Sequence, residues 1–163
     1  MKNITIVAAI LISVMMMSCN NNQPGTAQAD TKVPVFPRGE KVTNNNFTGD
    51  VWVQMLVYGD TIHNISAGNV SFNPGARTTW HIHPGGQILI VTEGKGFYQE
   101  KGKPARIIRK SDIVRIPPAT EHWHGATPDS TIAHIAISTN LQQGSVVWLL
   151  PVSDEEYDSA VVK

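Results

Sequence analysis

The sequence predicts an all-β fold, a small antiparallel β-barrel or jelly roll, and three observations lead there. Apolar, β-branched and aromatic runs recur from Phe47 onwards, giving about ten short strands at close spacing. The 13 Gly and 10 Pro are dispersed between those runs as turn punctuation. No helical period separates one run from the next.

Taken in order, the chain opens with an export signal over residues 1–19. Lys2 is the only charge before an apolar run from Ile4 to Met17, too short to span a bilayer but suited to a signal-peptide core. Ser18-Cys19 follows, and the position of this cysteine resembles a bacterial lipoprotein signal, although Met16-Met17 departs from the usual residues there. The expectation is an exported protein of the cell envelope, in the periplasm or at the outer membrane, held by a lipid on Cys19. Without that lipid it is secreted. Cys19 is the single cysteine, so no internal disulfide can form. Residues 20–45 are polar and carry Pro24, Pro34 and Pro37 without period, and read as a flexible tether. Within it, Val33 to Pro37 reads equally as extended linker or as a docked edge segment.

The domain proper is expected over residues 46–152. Its strands are Val51 to Tyr58, Val70 to Phe72, Thr78 to His83 and Gly86 to Thr92, the last apolar enough to be buried on both faces. Gly94-Lys95-Gly96 reads as a hairpin turn into Phe97 to Glu100, and Gly102-Lys103-Pro104 as a turn into Ala105 to Arg109. Ile113 to Ile116, His122 to Ala126, Thr131 to Ser138 and Val146 to Leu150 complete the set. Residues 153–163 form an acidic tail that either makes a short helix or frays. Lys plus Arg and Asp plus Glu are 13 each, with no basic cluster, which argues against a nucleic-acid partner.

The chemistry concentrates in two histidine pairs. His81-Ile82-His83 in a strand places both imidazoles on one face, where they can reach a single metal ion. Gln87 follows after the Pro84-Gly85-Gly86 break, bringing an amide oxygen within reach of the same point. His122-Trp123-His124 repeats the pairing on a later strand, with Trp123 turned to packing on the opposite face. Neutral imidazoles suit Mn, Fe, Co, Ni, Cu or Zn. A neutral Gln leaves a divalent site at a charge of about +2, against about +1 with Glu, and so a stronger Lewis acid. That departs from the two-His-one-carboxylate set of iron oxygenases and favours proton-transfer or carbon–carbon bond chemistry. Alternation in Thr131 to Ser138 leaves two orientations. One turns His134 and Ser138 inward; the other buries Ala133, Ile135 and Ile137, and hydrophobicity alone prefers it.

These stretches resemble the two motifs of the cupin superfamily. Gly75, His81, His83 and Gly94 fall at the spacings of the first motif, with Gln87 where the family usually has Glu. Ser111, Pro117, Ala119 and His122 occupy the second, whose two glycines are replaced here. More narrowly, Pro74 to His81, Pro84 to Gln87 and His122 to Ala126 are similar to small single-domain bacterial cupins that include manganese-dependent hydroxynitrile lyases and carboxymuconolactone decarboxylase-associated cupins. The resemblance implies a divalent transition metal, manganese first with Fe, Zn, Ni and Co compatible, on His81, His83, Gln87 and His122. It implies His124 and His134 as catalytic pocket residues, His134 therefore inward, and a homodimer. Ser138 stands where the lyases carry Gln. His124, on the inward face beside a completed ligand set, is also the residue type for a general acid or base titrating near neutrality. The function expected is a metal-dependent lyase acting on a small polar organic molecule. A quercetinase-like dioxygenase and a non-catalytic metal- or ligand-binding module of the envelope are the alternatives.

Overall fold

The computed structural model describes residues 34–161. The expected signal peptide, Cys19, the expected tether up to residue 33 and the last two residues lie outside the described residues. Among those described, twelve strands are joined by antiparallel pairings. In chain order they are β1 (Glu40–Lys41), β2 (Phe47–Thr48), β3 (Val51–Asp60), β4 (Ile65–Phe72), β5 (Arg77–Thr78) and β6 (His81–Ile82). Then come β7 (Gln87–Glu100), β8 (Arg106–Arg109), β9 (Ile113–Ile116), β10 (Glu121–Ala126), β11 (Ile132–Ser138) and β12 (Val147–Trp148). One α-helix, α1 (Asp154–Val161), follows, and a short 3-10 helix, Leu141–Gln143, precedes β12. The strands run β1-β3-β4-β11-β7-β10-β5-β2, with β8 and β9 also on β7, β6 on β10, and β12 on β6. The all-β barrel expected from the sequence is the fold observed.

Two side-chain clusters hold it together. The interior is filled by Phe72, Leu89, Val91, Ile108, Val114 and Ile132 among others, each buried. A second cluster, Trp80, Phe97, Trp123, Val152, Tyr157 and Ala160, lies where α1 packs on the strands.

β7 corrects two expectations at once. Gly94-Lys95-Gly96 is not a hairpin turn, because the strand runs straight through it from Gln87 to Glu100 and only changes partners. Gly94 has φ 71°, and a Cβ there would lie 1.9 Å from the Thr131 carbonyl oxygen. Two residues before it, at Thr92, the register with β11 slips, a bulge that bends a strand without reversing it. Nor is the first half of β7 buried on both faces: Gln87, Leu89 and Val91 are buried while Ile88, Ile90 and Thr92 are half-buried. The isoleucines of β7 and β11 make that outer face look like core in a one-dimensional reading.

Four further features bear on the site. The strand expected over Thr78 to His83 breaks at Thr79-Trp80, where the backbone leaves β2 and β10 to donate from Thr79 to Asn46 O and from Trp80 to Leu150 O. The described part of the tether is not free of the sheet. Glu40–Lys41 pairs with Trp52 and Val53, Asn69 Nδ2 donates to Pro37 O at 3.1 Å, and Arg38 lies over the Trp52 ring. The acidic tail is helical and docked: Tyr157 Oη donates to Ala126 O at 2.7 Å, and Arg77 Nη2 to Val152 O at 3.1 Å. Finally, Ser111 and Ala119, which replace motif glycines, both adopt left-handed backbone, at φ 77° and 58°. The turns keep the glycine conformation although the glycines are gone, at a cost of about 1 kcal/mol each.

Candidate metal centre

His81 lies on β6 opposite His122 on β10, and His122 also faces Glu100 across the β7 pairing. His83 follows in the turn beyond β6, where its carbonyl accepts from the Gly86 and Ala119 amides. Gln87 opens β7 and is register partner of Ser138 on β11. These short-range geometries bring candidate donor atoms of His81, His83 and His122 within 4.8 Å of one another. Gln87 Oε1 reaches 3.1 Å from His122 Nε2.

Each imidazole is oriented from behind. His81 Nδ1 donates to the Thr79 carbonyl at 2.9 Å and His122 Nδ1 to the Thr120 carbonyl at 2.8 Å. In the neutral rings this leaves Nε2 bare. His83 Nδ1 lies 3.1 Å from Ser138 Oγ, which occupies that nitrogen in the same way. The Nε2 lone pair of His122 and the lone pairs of Gln87 Oε1 then face each other with no proton between them. A cation at that point relieves the repulsion, so the donor set fits a divalent transition ion.

Burial reinforces the neutral state. It pushes His83 and His122 down to about 4, and it holds His81 well below the ordinary histidine value, with His122 beside it adding to the effect. A metal-binding imidazole must be unprotonated, and these three are so at neutral pH.

His124 shares the inward face of β10 with His122, and its ring lies 5.3 Å from that of His81. Its Nδ1 is 3.1 Å from His134 Nε2. His124 is fully buried, and that burial, with His134 next in effect, depresses its pKa well below the usual range. The near-neutral titration expected of it is therefore not what its surroundings give; it is a neutral imidazole across the physiological range. His134 is also inward and fully buried, packed on Phe72 at 5.5 Å, and burial takes it to about 4. The hydrophobicity argument for the reverse orientation fails because Ile135 and Ile137 cover the half-buried outer face instead. His134 backs His124 rather than lining the cavity, and its Nδ1 is the one buried side-chain polar atom left unpartnered among the described residues. Trp123 is buried in the second cluster, its Nε1 donating to Gln99 Oε1 at 2.7 Å, as its packing role requires.

A cavity of about 360 Å³ opens onto these groups. One end presents His81, His83, Gln87, His124, Ser66 and Ser138; the rest is largely apolar, with Phe47, Val53, Met55, Val70 and Trp148. Among the described lining residues there is no Asp, Glu, Lys or Arg. Trp148, whose ring lies 4.9 Å from that of His81, and Met55 were not legible as site residues, since an apolar residue in a strand reads only as core. Val42 and Asn44, within the expected tether, also line the cavity.

Residues 68–138 match the cupin domain family. The (R)-mandelonitrile lyase of Granulicella tundricola is 41% identical over 111 residues, covering 68% of this chain and 85% of that protein. The chain belongs to the cupin superfamily. A cupin-like protein from Thermotoga maritima is 56% identical, with a TM-score of 0.76 over 78% of this chain and 97% of its own. A DMSP lyase from Ruegeria pomeroyi shares the fold alone, at 20% identity and a TM-score of 0.55 over 64% of this chain and 54% of its own. This cupin thus carries a three-histidine cluster suited to a divalent metal.

Proposed function

We propose that this cupin is a metal-dependent lyase of the hydroxynitrile type, splitting a cyanohydrin into an aldehyde and hydrogen cyanide. The observation that carries the reading is a four-donor set of three imidazoles and a neutral amide, of which His81, His83 and Gln87 line a largely apolar cavity without charged walls. The likeness to the Granulicella lyase supports the same class. An uncharged, apolar-bodied substrate fits these walls, a narrower description than the small polar molecule expected from sequence. A divalent ion held by His81, His83, Gln87 and His122 supplies Lewis acidity beside the reacting group; manganese is the ion we propose.

The chain's own part is proton transfer and orientation. His124 borders the cavity and is neutral, so it can take the hydroxyl proton as the carbon–carbon bond breaks and return it to the departing cyanide carbon. This requires the shared proton between the two rings to sit on His124 Nδ1, donated to His134 Nε2 over 3.1 Å. His134 then orients His124, and Phe47, Val53 and Trp148 exclude water from the apolar part of the substrate.

The test is manganese-loaded protein incubated with mandelonitrile under argon. Release of benzaldehyde at a rate well above the buffer background is the expected result, with His124→Ala slower by on the order of 10²–10⁴. No benzaldehyde without oxygen, or turnover only with oxygen consumed, contradicts the lyase reading.

A further inference from the structure

A second cavity, of about 330 Å³, lies beneath the segment Leu141–Val146 and is walled differently from the first. Ser66, Ser138, Thr139 and Ser145 give it four hydroxyls, and Gly85 and Gly144 expose backbone; among its described lining residues none is Asp, Glu, Lys or Arg. Thr139 Oγ1 is spent on the Gly85 carbonyl at 2.8 Å, so Ser66, Ser138 and Ser145 are the groups with a hydroxyl to offer. The two cavities share Ser66, His83 and Ser138 and no other residue.

That junction follows from the sheet. Ser66, Ser138 and Gln87 are register partners across β4, β11 and β7. The next row inward on the same face, Gly68, Ala136 and Leu89, has no polar side chain. This face of the sheet therefore changes from apolar to polar at the Ser66–Ser138–Gln87 row, whose Ser138 meets His83. Ser66 and Ser138 border both cavities, so beyond His83 the first adds Phe47, Val53, Met55, Val70 and Trp148, and the second adds Ser145, Thr139 and glycine backbone.

We propose that the site is divided into two compartments at His83, the apolar one holding the body of the substrate and the hydroxyl-lined one receiving a small, hydrogen-bonding fragment, neutral or singly anionic. Segment Leu141–Val146 roofs the second compartment and sets the size of fragment that enters. The division rests on reading the histidine cluster as a metal centre, and it names the place from which the smaller cleavage product leaves or the smaller reactant arrives.

The experiment is a crossed titration of manganese-loaded protein by calorimetry, with azide as the small polar probe and benzyl alcohol as the apolar-bodied one. Ser145→Trp, at an exposed roof position, narrows the second compartment, and Val146→Phe does so from the adjacent residue. Met55→Trp narrows the first compartment. The expected result is azide binding weakened about tenfold in both roof variants with benzyl alcohol unchanged, and the reverse in Met55→Trp. Azide affinity unchanged in both roof variants overturns the proposal, as does equal weakening of both probes by every variant. Neither probe is turned over, so a failure to cleave mandelonitrile leaves this result standing on its own.

Discussion

At the scale of single residues, the candidate donors were legible and their orientation was not. His81, His83 and His122 stand out because His-x-His fixes two imidazoles within reach of one point whatever the strand does next. What aims them is backbone and distant sequence: the carbonyls of Thr79 and Thr120, and Ser138, which meets His83 only once β11 pairs with β7. Burial sets their protonation, and this has a consequence for stability. His83, His122 and His134 sit at about 4 in the folded chain, against an ordinary value near 6.5. Between those values the unfolded chain binds protons that the folded chain refuses, so acid favours unfolding. Their contribution is fully present above about pH 6.5 and is lost as the pH falls towards 4, at up to about 1.4 kcal/mol per unit for each histidine. Protein stripped of metal by chelation should show its urea midpoint falling steadily from pH 7 to 4.5. A midpoint flat across that window would mean these rings are hydrated in solution.

At the scale of elements, the strands were legible where alternation or turn residues mark them, and misread where a glycine bends a strand instead of ending it. Gly94 in β7 is such a case, because Gly-Lys-Gly signals a turn but not its direction. The opposite failure is α1. Its start carries a capping box: Ser153 Oγ accepts from the Glu156 amide at 3.1 Å, and Glu156 Oε2 accepts from the Ser153 amide at 3.0 Å. Ser-x-x-Glu was readable, yet the acidic composition left helix and frayed tail equally open. The same carboxylate oxygen accepts from Trp80 Nε1 at 3.2 Å, tying the cap to the residue before His81. Ser153→Ala should therefore lower stability by about 1 kcal/mol, read as a shift in denaturation midpoint with the slope unchanged. An unchanged midpoint would show that α1 stays docked without its cap, through Tyr157 and Arg77 alone.

At the scale of the molecule, the barrel gathers four candidate donors from three places in the chain beside a largely apolar cavity. The superfamily and the all-β architecture could be expected from two motifs and the rhythm of short strands. The cavity could not, because its walls come from β3, β4, β11 and β12 and from Val42 and Asn44, apart in sequence and ordinary in composition. The central claim is that His81, His83, Gln87 and His122 hold one divalent transition ion and that His124 does not. Elemental analysis of protein purified without added metal tests it most directly, across the parent, the single alanine variants of the three ligand histidines, Gln87→Glu and His124→Ala. The account predicts a bound transition metal in the parent, in His124→Ala and in Gln87→Glu, where a carboxylate oxygen replaces the amide oxygen. It predicts most of that metal lost from His81→Ala, His83→Ala and His122→Ala. Metal retained in all three of those variants, or lost from His124→Ala as completely as from His122→Ala, would contradict it.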